Sequence, residues 1–203
     1  MFITFEGIDG SGKSTHIDLL REKLEEEGYH VEVFREPGGT ELSEKIRSLL
    51  LDSQLDIDPV SELLLFSAAR AQLISERVIP LLEEGAVVIL DRFYDSTTAY
   101  QGYGRSSASL DAIAELNELA SHHREPDLTF YLQISLEESK NRTAKLPKDR
   151  MEQSGDKFFR KVIEGFEKLA SSENRIIAID ASLSLEQVQE LIWNRTEQAL
   201  NQS

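Results

Sequence analysis

The sequence contains no cysteine. Disulfides and thiol chemistry are therefore excluded, and the composition fits a reducing compartment. Long apolar runs are missing too. None approaches the roughly 20 residues that a membrane-spanning helix needs. The opening MFITFEGIDG has neither the basic stretch nor the apolar run of a signal peptide. We therefore expect a cytoplasmic protein that does not engage a membrane. Positive charge is scarce: 22 Lys and Arg stand against 37 Asp and Glu, a formal net charge of -15. Such a balance argues against a grip on nucleic acid, which relies on a basic face. It leaves room for a small anion in a local basic pocket, and in that case the arginines should converge on one place.

What is present suits a single domain with a sizeable core. The chain has 203 residues, 40% hydrophobic and 29% charged, ordinary values for a globular protein. Short β-rich runs at 2–6, 31–35, 86–90, 128–134 and 175–180 alternate with helical patterns at 14–27, 41–51, 59–84, 110–121, 156–171 and 184–200. In the second helix Leu42, Ile46 and Leu49 are expected to share the buried face. Pro80 is expected to kink or break the third. Alternation of this kind predicts an α/β fold with right-handed crossovers, a mostly parallel five-stranded sheet and helices on both faces. Ligands of such sheets bind beyond the carboxyl ends of the strands. The polar segment 142–155, RTAKLPKDRMEQSG, reads as an excursion between two helices.

Gly7, Gly12, Lys13 and Ser14 match G-x-x-x-x-G-K-[ST] directly after the first strand and at the start of a helix. Glycines let the backbone curl so that N–H groups point inward, and the helix N-terminus adds partial positive charge. The nucleotide-phosphate cradle would comprise Gly7, Ile8, Asp9, Gly10, Ser11, Gly12, Lys13, Ser14 and Thr15. Lys13 would reach the β- and γ-phosphates of ATP, and the Ser14 hydroxyl would ligate Mg²⁺. Asp91 ends an apolar strand at the same sheet edge, either as a second Mg²⁺ ligand or as a turn aspartate. The guanine signature N-K-x-D is absent, and RFYD follows Asp91 instead of a switch-type D-x-x-G.

Four stretches in order, FEGIDGSGKST, REPGGT, DRFYDSTTAYQG and DRME, resemble thymidylate kinase, the P-loop nucleoside monophosphate kinase family that phosphorylates dTMP. The resemblance covers nearly the whole chain. It implies a three-layer α/β/α P-loop kinase fold over residues 1–203 with a lid at about 142–155. It also implies ATP–Mg²⁺ as donor, dTMP as acceptor, dTDP as product, and a homodimer.

For the acceptor, the resemblance implies that Phe66 stacks on the base and Arg70, four residues on, hydrogen-bonds its edge. Plain core packing and a surface ion pair are the alternatives for these two. Tyr100 would close over the sugar and Gln101 contact base or sugar. Ser96 and Thr97 would meet the base or cap a helix. Arg47 and Arg92 would clamp the acceptor phosphate, unless Arg47 pairs with Glu44. Glu36 would sit near the acceptor and metal, or be a solvated turn carboxylate. Asp9, a carboxylate inside an anion-binding loop, would face the acceptor side and hold Arg92 or order a Mg²⁺-bound water, unless it only forms the turn. Glu6 receives no role. The position after Asp9 is Gly10, so the lid would supply the catalytic cation as in the bacterial type. Arg142, Lys145, Lys148 and Arg150 are the candidates, with Arg142 and Arg150 preferred.

Overall fold

The computed structural model describes residues 1–145 and 149–201. Strands β1 (Phe2–Glu6), β2 (Val31–Arg35), β3 (Val87–Asp91), β4 (Leu128–Gln133) and β5 (Ile176–Asp180) form one sheet in the order β2-β3-β1-β4-β5. Every pairing is parallel. β1 lies in the middle and is buried along its whole length, which suits Phe2, Ile3 and Phe5 and obliges Thr4 and Glu6 to find partners inside the protein. The chain leaves β1 for the β2 edge, returns to β3, then crosses to β4 and β5. The carboxyl end of β1 is therefore the point at which the winding reverses, where crevices open in such sheets.

Side chains alternate between the two faces of the sheet. Val87 and Ile89 of β3 join Ile17, Leu20 and Leu24 of helix α1 (Lys13–Glu26). Val88 and Leu90 join Phe2 against Leu73, Ile74 and Val78. Helix α2 (Glu41–Leu51) packs beside α3 (Pro59–Leu73). Its buried residues are Ser43, Ile46 and Leu50, whereas Leu42 and Leu49 are each 49% exposed. The expected leucine face is thus turned outward. Ser43 decides this: its hydroxyl donates to the Ala69 carbonyl of α3 at 2.8 Å, a close approach that a leucine would prevent.

The expected helix over 59–84 is three segments. α3 gives way to a π-helical stretch, Ile74–Val78, and then α4 (Ile79–Glu83). Pro80 lacks an N–H and its ring crowds the preceding turn. Widening that turn relieves the clash, with the Ile79 N–H donating to Ile74 O.

Two helices are additional to the sequence expectation. α5 (Tyr94–Thr97) runs on as a π-helix, Thr98–Gly104. Its Thr, Tyr and Gly content reads as a turn, but tertiary packing overrides propensity. Tyr100 meets Phe158, Phe159 and Phe166 edge-on from helix α8 (Asp156–Ser172). A Cβ on Gly104 would lie 2.6 Å from Phe158, so only glycine allows this approach. Helix α6 (Leu110–Ala120) packs against α3. α7 (Leu136–Thr143) is capped by Ser135, whose hydroxyl accepts from the Glu138 N–H. The S-x-x-E cap was readable in the sequence. Arg142 and Thr143 therefore belong to a helix and not to the excursion. A 3₁₀ turn, Glu152–Ser154, leads into α8, and α9 (Leu185–Leu200) closes the chain beside α1.

Candidate active site

The loop over residues 7–12 joins the central strand to α1. Gly7 has φ 134°, and a Cβ there would sit 2.6 Å from the Leu132 carbonyl oxygen. The loop can hug β4 only with glycine at this position. Gly12 is the N-cap of α1 and offers no side-chain acceptor, so the first N–H groups of the helix remain available to an anion. Lys13 is buried and folds back to Gly7 O at 3.1 Å. Burial pushes its ammonium pKa down. Ser14 and Thr15 are exposed at the loop's mouth.

A cavity opens over this loop, lined by Gly10, Gly12, Lys13, Ser14, Thr15 and Asp91 among others. The Asp91 Oδ1 atom is buried and has no hydrogen-bond partner among the described residues. A hydroxyl and a free carboxylate oxygen are the hard donors that Mg²⁺ takes alongside substrate phosphates. Among the described residues no group of three or more His, Cys, Asp or Glu gathers as a self-sufficient metal site.

A second cavity lies alongside. Its lining includes Glu36, Arg47, Phe66, Arg70, Arg92, Ser96, Thr97, Tyr100 and Gln101. The residues that the sequence suggested for the acceptor are thus brought to one chamber from α2, α3, α5 and the β2 and β3 ends. The two cavities share Asp9, Glu36, Arg47 and Arg92 as a common wall. The scattered arginines converge, as a small-anion site in an acidic protein requires.

Arg92 is the centre of that wall. Its N–H donates to Phe5 O at 2.9 Å, prolonging the β1–β3 ladder and setting the residue beside the phosphate loop. Its guanidinium donates to Asp9 Oδ1 at 2.7 Å and to Gly7 O at 2.9 Å. Its φ is 72°, a left-handed conformation costly for a residue with a Cβ and typical of functional sites. Burial opposes ionisation of Asp9, but Arg92 and Lys13 outweigh it and hold the carboxyl below its usual range. A carboxylate in the anion-binding loop is therefore tied to the cation that faces the neighbouring chamber.

Arg47 donates to Pro37 O at 2.9 Å. Glu44 pairs with Arg35 instead, at 3.0 Å, so the alternative partner for Arg47 is already engaged. Glu36 is buried and not a solvated turn carboxylate. Arg70 meets its Oε2 through Nε at 2.8 Å and Nη2 at 2.7 Å. Burial pushes Glu36 up, and the Arg70 guanidinium opposes that shift. Arg70 also approaches Asn117 Oδ1 at 3.3 Å, so the surface-pair alternative does not describe it. Phe66 is half-buried and packs beside Ile46, Leu50 and Ala69 while lining the chamber.

The cations suggested for the lid lie apart. Arg142 donates to Glu138, to Gly10 O at 3.2 Å and to Ala181 O at 3.1 Å. It thus lies against the phosphate loop. Arg150 is tied to Leu50 O at 2.8 Å and to Glu62 at 2.6 Å. Lys145 is exposed just beyond α7, and Lys148 lies outside the described residues.

Two carboxylates were not singled out for a role by the sequence. Glu62 is buried on α3 and receives Gln101, Arg105 and Arg150. It precedes Phe66 and Arg70 at four-residue spacing, which was a readable signal. Glu6 is fully buried beneath the Arg92 turn; a carboxylate closing an apolar strand was its only trace.

A parallel sheet, a glycine-rich loop into α1 and a second chamber beside it define an α/β P-loop kinase fold. The family model for thymidylate kinase matches residues 5–192. A thymidylate kinase of Chlorobaculum parvum is 50% identical over 199 residues, 93% of this chain and 91% of that protein. One of Thermoanaerobacter sp. is 45% identical over 188 residues, 92% of each. The crystal structure of thymidylate kinase from Ehrlichia chaffeensis superposes with a TM-score of 0.79 at 37% identity, covering 97% of this chain and 98% of that one. The chain belongs to the thymidylate kinase family, whose chemistry is ATP-dependent phosphorylation of dTMP to dTDP.

Proposed function

We propose that the chain transfers the γ-phosphoryl group of ATP to dTMP, giving dTDP and ADP on the route to dTTP, with the two adjoining cavities holding the two nucleotides end to end. The shared wall of Asp9, Glu36, Arg47 and Arg92 carries this reading. A phosphate oxygen of dTMP attacks the γ-phosphorus, the bond to the β-phosphate oxygen breaks, and ADP leaves. Such transfer depends on alignment and charge neutralisation more than on covalent help from the protein.

In this reading the loop amides and Lys13 hold the donor phosphates, and Arg47 and Arg92 hold the acceptor phosphate. Asp9 keeps Arg92 directed at the junction. Phe66 stacks on the pyrimidine, Arg70 and Gln101 present polar groups to base and sugar, and Tyr100 closes over the sugar beside Ser96 and Thr97. Ser14 and Asp91 would hold Mg²⁺, which would neutralise phosphate charge. Arg142 and Arg150 are the lid-side cations, on the two sides of the junction. The chain would act as one domain over residues 1–203 with residues 144–155, after α7, as lid. Exclusion of water by that lid would limit idle ATP hydrolysis.

The reading also takes the enzyme as a cytoplasmic homodimer. Leu42, Leu49, Val60 and Leu64 of α2 and α3 are all about half exposed, and a second copy would cover them. Light scattering on the purified chain measures this directly. No helix among the described residues is long and apolar enough to cross a membrane.

The test of function is ADP release without acceptor and with dTMP, dUMP, dCMP, dGMP or AMP. Strong stimulation by dTMP is expected. Steady release indifferent to every acceptor would replace the kinase reading with a nucleotide-hydrolysing switch.

A further inference from the structure

We infer that Glu6 is a positioning residue for phosphoryl transfer: from the end of β1 it fixes the turn that aims Arg92 at the junction of the two cavities. The inference rests on the acceptor-phosphate role given to Arg92 above.

Strand periodicity turns Phe2, Thr4 and Glu6 to one face of the sheet, the face covered by α3 and α5. Glu6 has no exposed surface. Its Oε1 accepts from the Phe93 N–H at 2.8 Å and the Ser96 N–H at 3.2 Å, and the Ser96 hydroxyl donates to its Oε2 at 2.6 Å. These are groups of the first turn of α5, whose N-cap, Phe93, has no side-chain acceptor. Helices α2, α3, α6, α7 and α9 cap themselves with Thr40, Asp58, Ser109, Ser135 and Ser184. At α5 alone among these, the cap arrives from a strand almost ninety residues away in sequence.

The linkage reaches Arg92 in one further step. Ser96 Oγ accepts from Arg92 Nη1 at 3.2 Å. Arg92 itself occupies the left-handed region, and such a conformation persists only where its surroundings over-determine it. Glu6 supplies one constraint. Asp95, itself held by Arg175 through two hydrogen bonds of 2.8 Å each, adds another to the direct bonds with Asp9, Gly7 and Phe5. Arg175 also donates to Thr129 Oγ1, which lies 2.7 Å from Thr4 Oγ1. A buried carboxyl is costly unless every partner is in place, and here its partners all belong to the segment that carries Arg92.

The experiment measures kcat and KM for dTMP and for ATP separately. Glu6→Ala is expected to lower kcat/KM for dTMP by about tenfold to a hundredfold, while KM for ATP stays within about twofold. Glu6→Gln keeps an acceptor for both N–H groups and a partner for the Ser96 hydroxyl, so it is expected to restore most of the loss. Equal shifts for both nucleotides, or no rescue by glutamine, would overturn the inference. If Glu6→Ala does not fold, Glu6→Asp keeps the carboxyl but withdraws it by one methylene from the Phe93 and Ser96 groups. It should raise KM for dTMP with KM for ATP unchanged, and an unchanged KM for dTMP would overturn the inference. Arg92→Ala separates the two levels. If it leaves dTMP kinetics intact, the role assigned to Arg92 is wrong. If it abolishes them while Glu6→Ala leaves kcat/KM for dTMP unchanged, only the positioning role is wrong.

Discussion

Arg70 and Glu36 form an ion pair at 2.7 Å with side chains only 2% and 4% exposed. It ties α3 to the end of β2 at the back of the second cavity. Removing one partner from such a pair strands the other charge in a low-dielectric setting, at a cost of about 3–5 kcal/mol. We expect Arg70→Ala to lose stability of that order in urea unfolding and to raise KM for dTMP more than KM for ATP. A loss well below 1 kcal/mol would mean that water reaches Glu36 freely. Equal effects on both nucleotides would reduce Arg70 to a structural tie.

Lys13 presents a different balance. Its ammonium is buried against the carbonyls of Gly7 and Ile8 and makes no direct ion pair among the described residues, and Asp9 keeps Arg92 as its partner without it. Lys13→Ala should therefore reduce kcat by roughly a hundredfold to a thousandfold and leave the melting transition near that of the parent. Substantial turnover in this variant would contradict the donor-site assignment.

Arg92 allows backbone strain to be separated from chemistry. Arg92→Ala and Arg92→Gly both delete the guanidinium and leave Asp9 unpaired. They differ in that alanine must still adopt φ near 72°, whereas glycine does so readily. The glycine variant should be more stable by about 1 kcal/mol, with both variants severely impaired toward dTMP. Equal melting temperatures would show that the turn relaxes once the side chain is gone.

The buried Glu6 carboxyl gives a pH signature. Burial, reinforced by nearby Asp95, pushes its pKa from 4.5 up to about 8, against the opposing Ser96, Arg92 and Phe93. Between these values the native state holds a proton that the unfolded chain has released. The associated stability is complete below about pH 4.5 and is lost as pH rises through about 8. Melting temperatures of the parent and Glu6→Gln, compared from pH 5 to 8.5, should diverge, with the parent falling more steeply. Parallel curves would mean that Glu6 does not titrate in that window.

Much of the site was legible in the sequence because its signals are local. The glycine spacing before Lys13, the Phe66–Arg70 interval and the aspartate ending an apolar strand each follow from short-range geometry. What escaped was set by distant contacts. Leu42 and Leu49 satisfy helical periodicity, yet Ser43 takes the buried face because α3 passes so close. The 94–104 stretch has poor helix propensity, yet the aromatic side chains of α8 hold it as helix. Glu6 and Glu62 have no motif of their own; their roles come from partners roughly 40 to 90 residues away.

The sequence by itself determined the phosphate loop, the alternating α/β plan, the family and the set of side chains available for the acceptor, since these depend on spacing and residue type. Only the tertiary structure decided that Arg70 is sealed against Glu36 and that Glu6 supports the turn that carries Arg92. Parallel strands are neighbours only after long crossovers, and a buried charge takes its character from whatever those crossovers bring within about 3 Å of it.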